Sequence, residues 1–557
     1  MGRLSRFAIA TAVASAAVCW YTDSIGRAQA QDLLETVKGK VRDLGKNYFD
    51  ALTLLNSQED EKYYFWAQVF TVLLILYVIF FKRSYDPSKK GYGGRAPAPL
   101  SKAEQDALIN EWQPDPLINL DIDTRLNDLG EELVLTTRLG PQVEIEGIAG
   151  EVLNLSGFDF LGMSLEESIH EKSKECLKVY GCGSCGPRGF YGTSDQHLAL
   201  EVAIKDFFGT EEAIIYSDAA CTMSSIIPAF AKRGDVVVAD ELVSESAISG
   251  IELSRSTARY FKHNDVGDLA KTLQSLTDSL KRKGKPLANI RRYVVVEGLY
   301  RNRGDFAPLR EIIDCAKRFK FRIILDDSFA IGAVGKTGRG SLERAGIAAT
   351  EVDFLAGSLA TAFGSIGGFC TGSHVAVDHQ RLAGAGYCFS ASAPPFTCVA
   401  ALEAISLIDS EPERLDRLRA NLSLANQLSE ELPGLKVVSE PDSPMLYLEL
   451  ADEDTPTDRD DRLRQEQRLQ EIVDACLHGG AKGAAVSKSG RRSSRRMSRK
   501  KSGAGQPVLI SRSRHVYPPA KSQRPALPNP SIRLSITSAH TEDDLTAAFA
   551  TIAGALS

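Results

Sequence analysis

Asp326 ends the short apolar run Ile323, Ile324, Leu325, a position from which a strand can present a carboxylate to a ligand. Residues 183–192 (GSCGPRGFYG) are glycine-rich, so their backbone can come close to a ligand or a second chain. Within them Cys185, Gly186, Arg188 and Tyr191 are candidates for contact with a partner and for control of substrate choice. Cys185 is expected to be buried there, so that a bulky replacement disturbs the contact; a cysteine that only fills space is the plainer reading. Cys182 and Cys185 have C-x-x-C spacing, but no second pair and no His-x-His element follows, so no metal site is expected. Residues 387–395 (YCFSASAPP) offer hydroxyls at Ser390 and Ser392. In residues 487–505, arginine pairs precede Ser493 and Ser498, a pattern that a basophilic kinase could read. A solvated insertion without a specific role is the alternative.

These groups need a scaffold, and the composition supplies one. The chain has 557 residues, 43% hydrophobic and 25% charged, with a formal net charge of −6. That balance suits a core-forming enzyme body and gives no basic field for nucleic acid. Nine of the ten cysteines follow Lys82, scattered through helix and strand patterns, which suits a reducing compartment. Strands are predicted at 213–216, 236–239, 293–296, 323–325 and 354–356, with helical stretches such as 309–319 between them. This alternation predicts an α/β fold with a mostly parallel sheet covered on both faces. Near Pro394 the pattern changes to a long helix and then to a smaller α+β portion.

The predicted organisation has a leader at 1–62, a transmembrane helix at 63–81 and a linker and approach segment at 82–150. A large domain at 151–395 and a small C-terminal domain at 396–557 follow, with a disordered basic insertion at 487–505. Residues 63–81 carry no formal charge, have Tyr63, Tyr64 and Trp66 at one end, and stop at Lys82 and Arg83. The basic side places the large C-terminal body in the cytosol. Residues 1–30 leave a signal peptide, a second membrane contact and a misassigned start all open.

Five ordered stretches resemble the α-oxoamine synthases, pyridoxal-phosphate enzymes that join an amino acid to an acyl-CoA. They are residues 154–162 (NLSGFDFLG), 180–201 (YGCGSCGPRGFYGTSDQHLALE), 297–309 (EGLYRNRGDFAPL), 326–340 (DDSFAIGAVGKTGRG) and 357–368 (GSLATAFGSIGG). The resemblance implies a fold-type-I pyridoxal-phosphate transferase domain of the aspartate aminotransferase kind. It also implies a dismantled site. Thr361 stands at the family's Schiff-base lysine, Ser244 at the histidine that stacks on the cofactor ring, and Phe329 at a second histidine. The phosphate turn reads Ser217, Asp218, Ala219, Ala220, and Asp218 would repel a phosphate. Asp326, the ring-nitrogen partner, survives as a vestige. Lys336, in the glycine loop, is a weak substitute for the missing amine.

The segments NEWQPDPL at 110–117 and DHQRLAGAGYCFSAS at 378–392 are similar to the two-subunit branch that condenses L-serine with palmitoyl-CoA to 3-ketosphinganine. By that resemblance this chain is inactive alone and completes a heterodimer, while a lysine-bearing catalytic subunit holds the pyridoxal phosphate covalently. Ser390 and Ser392 are then candidates to reach the partner's cofactor. Small activating subunits, membrane-bound inhibitory regulators and an endoplasmic reticulum membrane location are also implied. A self-sufficient acyltransferase and a membrane-tethered scaffold remain as alternatives.

Overall fold

The computed structural model describes residues 100–113, 133–282, 289–480, 505–515, 524–525 and 527–557. The chain divides into two units, Met1–Asp121 and Ile122–Ser557. In the first, the helix Lys102–Glu111 begins at a capping box in which Ser101 and Glu104 satisfy each other's backbone N–H groups. The segment expected to span a membrane, 63–81, lies outside the described residues, as does most of the basic insertion. Among the described residues, no helix is long and apolar enough to cross a membrane.

Among the described residues, the second unit has fourteen strands in chain order. They are β1 (Gln142–Val143), β2 (Val152–Asn154), β3 (Glu212–Tyr216), β4 (Val236–Asp240), β5 (Thr257–Phe261), β6 (Arg292–Glu297) and β7 (Arg322–Asp326). Then come β8 (Phe354–Ser358), β9 (Gly368–Gly372), β10 (Leu435–Val437), β11 (Met445–Leu450), β12 (Val508–Leu509), β13 (Ser511–Arg512) and β14 (Ile532–Ser535). The central sheet has the order β3-β9-β8-β7-β6-β4-β5. Only β9 runs against its neighbours, pairing antiparallel with both β3 and β8. The runs Val236–Ala239, Tyr293–Val296 and Ile323–Leu325 are buried on both faces, as parallel strands under helices must be.

All five predicted strands form, each with slightly wider bounds. The sequence reading missed β5 and β9. In β5 the burial alternates with charged and polar residues, and β9 (GFCTG) has glycine at both ends, so neither has the apolar run of a central strand. The helix predicted to begin the smaller portion starts at Pro395 and runs to Ser410. Beyond it, β10-β11-β14-β13 form an antiparallel sheet, while β12 pairs parallel with β2.

Candidate functional site

The carboxyl ends of β4, β6 and β7 bring Asp240, Glu297 and Asp326 to one edge of the sheet, where ligands bind in open α/β folds. Glu297 and Asp326 are register partners on adjacent strands, and both are buried. Burial pushes the Glu297 carboxyl up, and the neighbouring Asp326 charge pushes it further. Burial raises Asp326 as well, opposed by two hydrogen bonds from Ser328. In these the Ser328 backbone N–H and hydroxyl donate to Asp326 Oδ1 at 3.1 and 2.6 Å. The Thr361 hydroxyl donates to the Ser328 carbonyl at 2.9 Å. Thr361 is buried, and its hydroxyl is linked through Ser328 to Asp326.

The side chains at the other positions singled out in the sequence have partners within the chain or face solvent. Phe329 meets Phe158 edge-on at 5.2 Å, and the Arg301 guanidinium stacks over Phe329 at 5.8 Å. Arg533 lies over the Phe158 ring at 4.1 Å and donates to the Ser156 carbonyl at 3.0 Å. Ser244 is buried, and its N–H donates to Glu297. Asp218 Oδ1 accepts the Cys221 N–H at 3.1 Å, in the first turn of the helix Ala220–Phe230. Its carboxylate thus takes the helix terminus that would otherwise attract an external anion. Lys336 is exposed. Phe158, Arg301 and Arg533 were missed by sequence reasoning. The signal for Arg533 was an arginine set between Ile532 and Leu534, both fully buried core residues.

Two loops interlock beside this edge. Arg188 is buried and makes a bidentate pair with Glu201 at 2.9 and 3.1 Å. Its Nε donates to Thr193 Oγ1 at 3.0 Å, and its guanidinium lies 5.4 Å from the Tyr387 ring centre. The Ser392 N–H and hydroxyl both donate to the Gly186 carbonyl, at 2.9 and 3.0 Å, and the Ser184 hydroxyl donates to the Ser392 carbonyl at 2.9 Å. Gly192 must be glycine, because a Cβ there would overlap the Gly186 carbonyl and the Ser392 hydroxyl. Cys185 is exposed rather than buried, and it adopts a φ of 56°. The tight glycine turn inverts the backbone there and directs the thiol outward. Ser392 is buried, whereas Ser390 is half-buried with its hydroxyl 3.2 Å from that of Ser217.

A further network braces the same edge. His263 Nδ1 contacts Asp240 Oδ1 at 2.9 Å and Nε2 contacts Asp305 Oδ2 at 2.8 Å. Burial disfavours the imidazolium, but hydrogen bonds to the two carboxylates outweigh it and raise the pKa to about 9. The folded value lies above the unfolded one of about 6.5, so the stabilisation is complete below that pH and is lost as pH rises through about 9. Denaturant midpoints should therefore fall between pH 6 and pH 10, by up to about 3 kcal/mol in stability. His263→Gln should remove most of that fall.

A sequence profile described as aminotransferase class I and II matches residues 150–552. The chain is 42% identical over 381 residues to long chain base biosynthesis protein 1b of Oryza sativa subsp. japonica, covering 68% of this chain and 76% of the relative. It is 37% identical over 463 residues to serine palmitoyltransferase 1 of Dictyostelium discoideum, covering 82% and 88%. Among solved structures, SPT with a PLP internal aldimine aligns with a TM-score of 0.62 at 25% identity, over 76% of this chain and 92% of that one.

Proposed function

The chain belongs to the aminotransferase class I and II family, and within it we propose that it is the non-catalytic subunit of a serine palmitoyltransferase in sphingolipid synthesis. The relatives named serine palmitoyltransferase 1 and long chain base biosynthesis protein support the subunit role. The observation that carries the non-catalytic reading is the hydrogen-bonded chain from Thr361 through Ser328 to Asp326. At the cofactor lysine's position it offers a hydroxyl already spent on a backbone carbonyl, and a hydroxyl forms no imine.

The residues of this chain do not fit covalently held pyridoxal phosphate. Asp218 brings a negative charge to the helix terminus a phosphate would need, and Phe329 packs against Phe158. In this reading a lysine-bearing subunit binds the cofactor, L-serine and palmitoyl-CoA. This chain stabilises that subunit and completes its site through the interlocked loops, including Cys185, Gly186, Arg188 and Tyr191. A single-pass anchor at 63–81 in the endoplasmic reticulum membrane, with the body in the cytosol, belongs to the same proposal. So do small activating subunits and membrane-bound inhibitory regulators.

The test is serine-dependent condensation in membranes that contain this chain alone, the lysine-bearing subunit alone, or both. Activity only with both is the expected result. Activity from this chain alone would overturn the reading and require another lysine.

A further inference from the structure

We propose that the amino-terminal edge of the central sheet, opposite the end that carries Asp326, is a docking face for an anionic lipid surface. β5, β4, β6 and β7 are parallel neighbours, so all four begin on this edge. At about 4.8 Å between strands, the four starts fall within roughly 15 Å. The helices that cross back over the sheet end here as well, since each returns the chain to the start of the next strand. Lys232 and Arg233 follow the helix Ala220–Phe230, and Lys281 and Arg282 close the helix Val266–Arg282. Arg318 closes the helix Leu309–Arg318, with Lys320 just beyond it, and Arg291 and Arg292 lead into β6. All eight are exposed except Arg292, which is half-buried.

The carboxylates of this edge leave most of that charge standing. Asp353 pairs with Arg322 at 2.8 Å and Glu351 with Arg310 and Lys317 at 3.1 Å, so both are occupied by cations outside the eight. Asp235 accepts the Lys232 and Arg291 backbone N–H groups at 2.9 Å, and none of the eight side chains makes an ion pair among the described residues. Setting Asp235, Asp278 and Asp314 against the eight leaves a local excess of five positive charges, in a chain whose net charge is −6. Cations at helix carboxyl ends are ordinary, and here Arg291 and Arg292 donate to the Phe230 and Phe319 carbonyls at 2.9 and 3.4 Å. Three helix ends supply only about half a negative charge each, too little to cancel that excess.

A flat, yielding anionic surface fits this edge better than a nucleic acid. The strand starts stand side by side, with Val236 level with Arg292 and Tyr293 level with Arg322, so the cations form a row. The rings among them are already covered: Arg318 lies 4.8 Å from the Phe319 ring centre and Arg292 5.5 Å from that of Phe321. No bare aromatic face is left there for a base to stack on. Lipid headgroups need only charge, and each Lys or Arg near an anionic surface strengthens the attraction roughly fivefold. Docking by this edge keeps the carboxyl ends of β4, β6 and β7 about 17 Å from the headgroups. The contact is independent of the anchor proposed at 63–81.

The experiment labels the lysines of the full-length chain with acetic anhydride beside phosphatidylcholine vesicles, with or without phosphatidylserine, and reads each site by mass spectrometry. Lys232, Lys281 and Lys320 should react at least about fivefold more slowly when phosphatidylserine is present, and about 0.5 M salt should abolish the difference. Lys436, on β10, is the internal control and should not change. Arg233→Gln combined with Lys281→Gln and Arg282→Gln should return Lys232 and Lys320 to the phosphatidylcholine rate. These three side chains are exposed, so the variant's thermal midpoint should stay within about 2 °C of wild type. Equal wild-type rates in the two lipids overturn the docking face. Slowing that persists in the triple variant, or that extends to Lys436, places the lipid contact elsewhere on the chain and overturns it too. If RNA or an acidic protein protects these lysines and phosphatidylserine does not, the edge serves that partner and the lipid assignment is overturned. Each of these results leaves the proposed function standing, because its own test is condensation with the lysine-bearing subunit.

Discussion

Replacing Arg188 with leucine should cost about 3–5 kcal/mol of stability and with it the ability to hold a partner. The side chains of Arg188 and Glu201 are 4% and 8% exposed, and they face each other through two parallel hydrogen bonds. Removing the guanidinium leaves the Glu201 carboxylate in the core with only the Ile215 N–H, at 3.3 Å, to solvate it. An unpaired buried charge is the expensive outcome, because desolvation is no longer offset by its partner. Domain stabilities are typically about 5–15 kcal/mol, so such a loss is a large fraction of the total.

Denaturant melts of the purified chain and recovery of the partner at 37 °C would measure both effects. The informative control is the double change Arg188→Leu with Glu201→Leu. With neither charge left buried, stability should return substantially. Partner association should not return, because the fork that orients Thr193 and the loop base is still missing. If Arg188→Leu melts within about 1 kcal/mol of wild type, the pair is not what supports the loops.

The sheet was legible because its central strands are β-branched runs that can only be buried. Val236–Ala239 and Tyr293–Val296 have no polar face to leave in water. β5 and β9 escaped notice because an edge strand alternates and a glycine-flanked strand has little side chain to read. In the site, the residue identities at 218, 244, 329 and 361 were visible in the sequence, but not what each side chain does. That Asp218 caps its own helix, or that Thr361 spends its hydroxyl on Ser328, depends on loops closing over distances the sequence does not encode. Cys185 shows the limit most plainly. Cysteine is usually a buried residue, yet a φ of 56° in a turn braced from both sides carries it to the surface. The Arg533 stacking on Phe158 joins segments more than 200 residues apart, and no local pattern announces it.

Restoring the amine by Thr361→Lys should not restore the enzyme. The single variant, purified and mixed with pyridoxal phosphate, should give no Schiff-base absorbance and no condensation without its partner. A lysine at this position enters a buried space where Ser328 already satisfies Asp326. Three further obstacles remain. Asp218 places a carboxylate at the helix terminus, Ser244 supplies no ring to stack on a cofactor, and Phe329 is packed edge-on against Phe158. Adding Asp218→Gly, Ser244→His and Phe329→His to the lysine should produce the absorbance, because each removes one obstacle to a group that needs all four contacts. Binding terms from one site are not additive, so the last change should matter more than the first. If Thr361→Lys alone gains both absorbance and activity, the site was one residue from function. The packing of Phe329, the serine at 244 and the cap at Asp218 would then be incidental. If only the fourfold variant gains the absorbance, loss of the amine was one of several changes by which this chain's own side chains came to occupy the site.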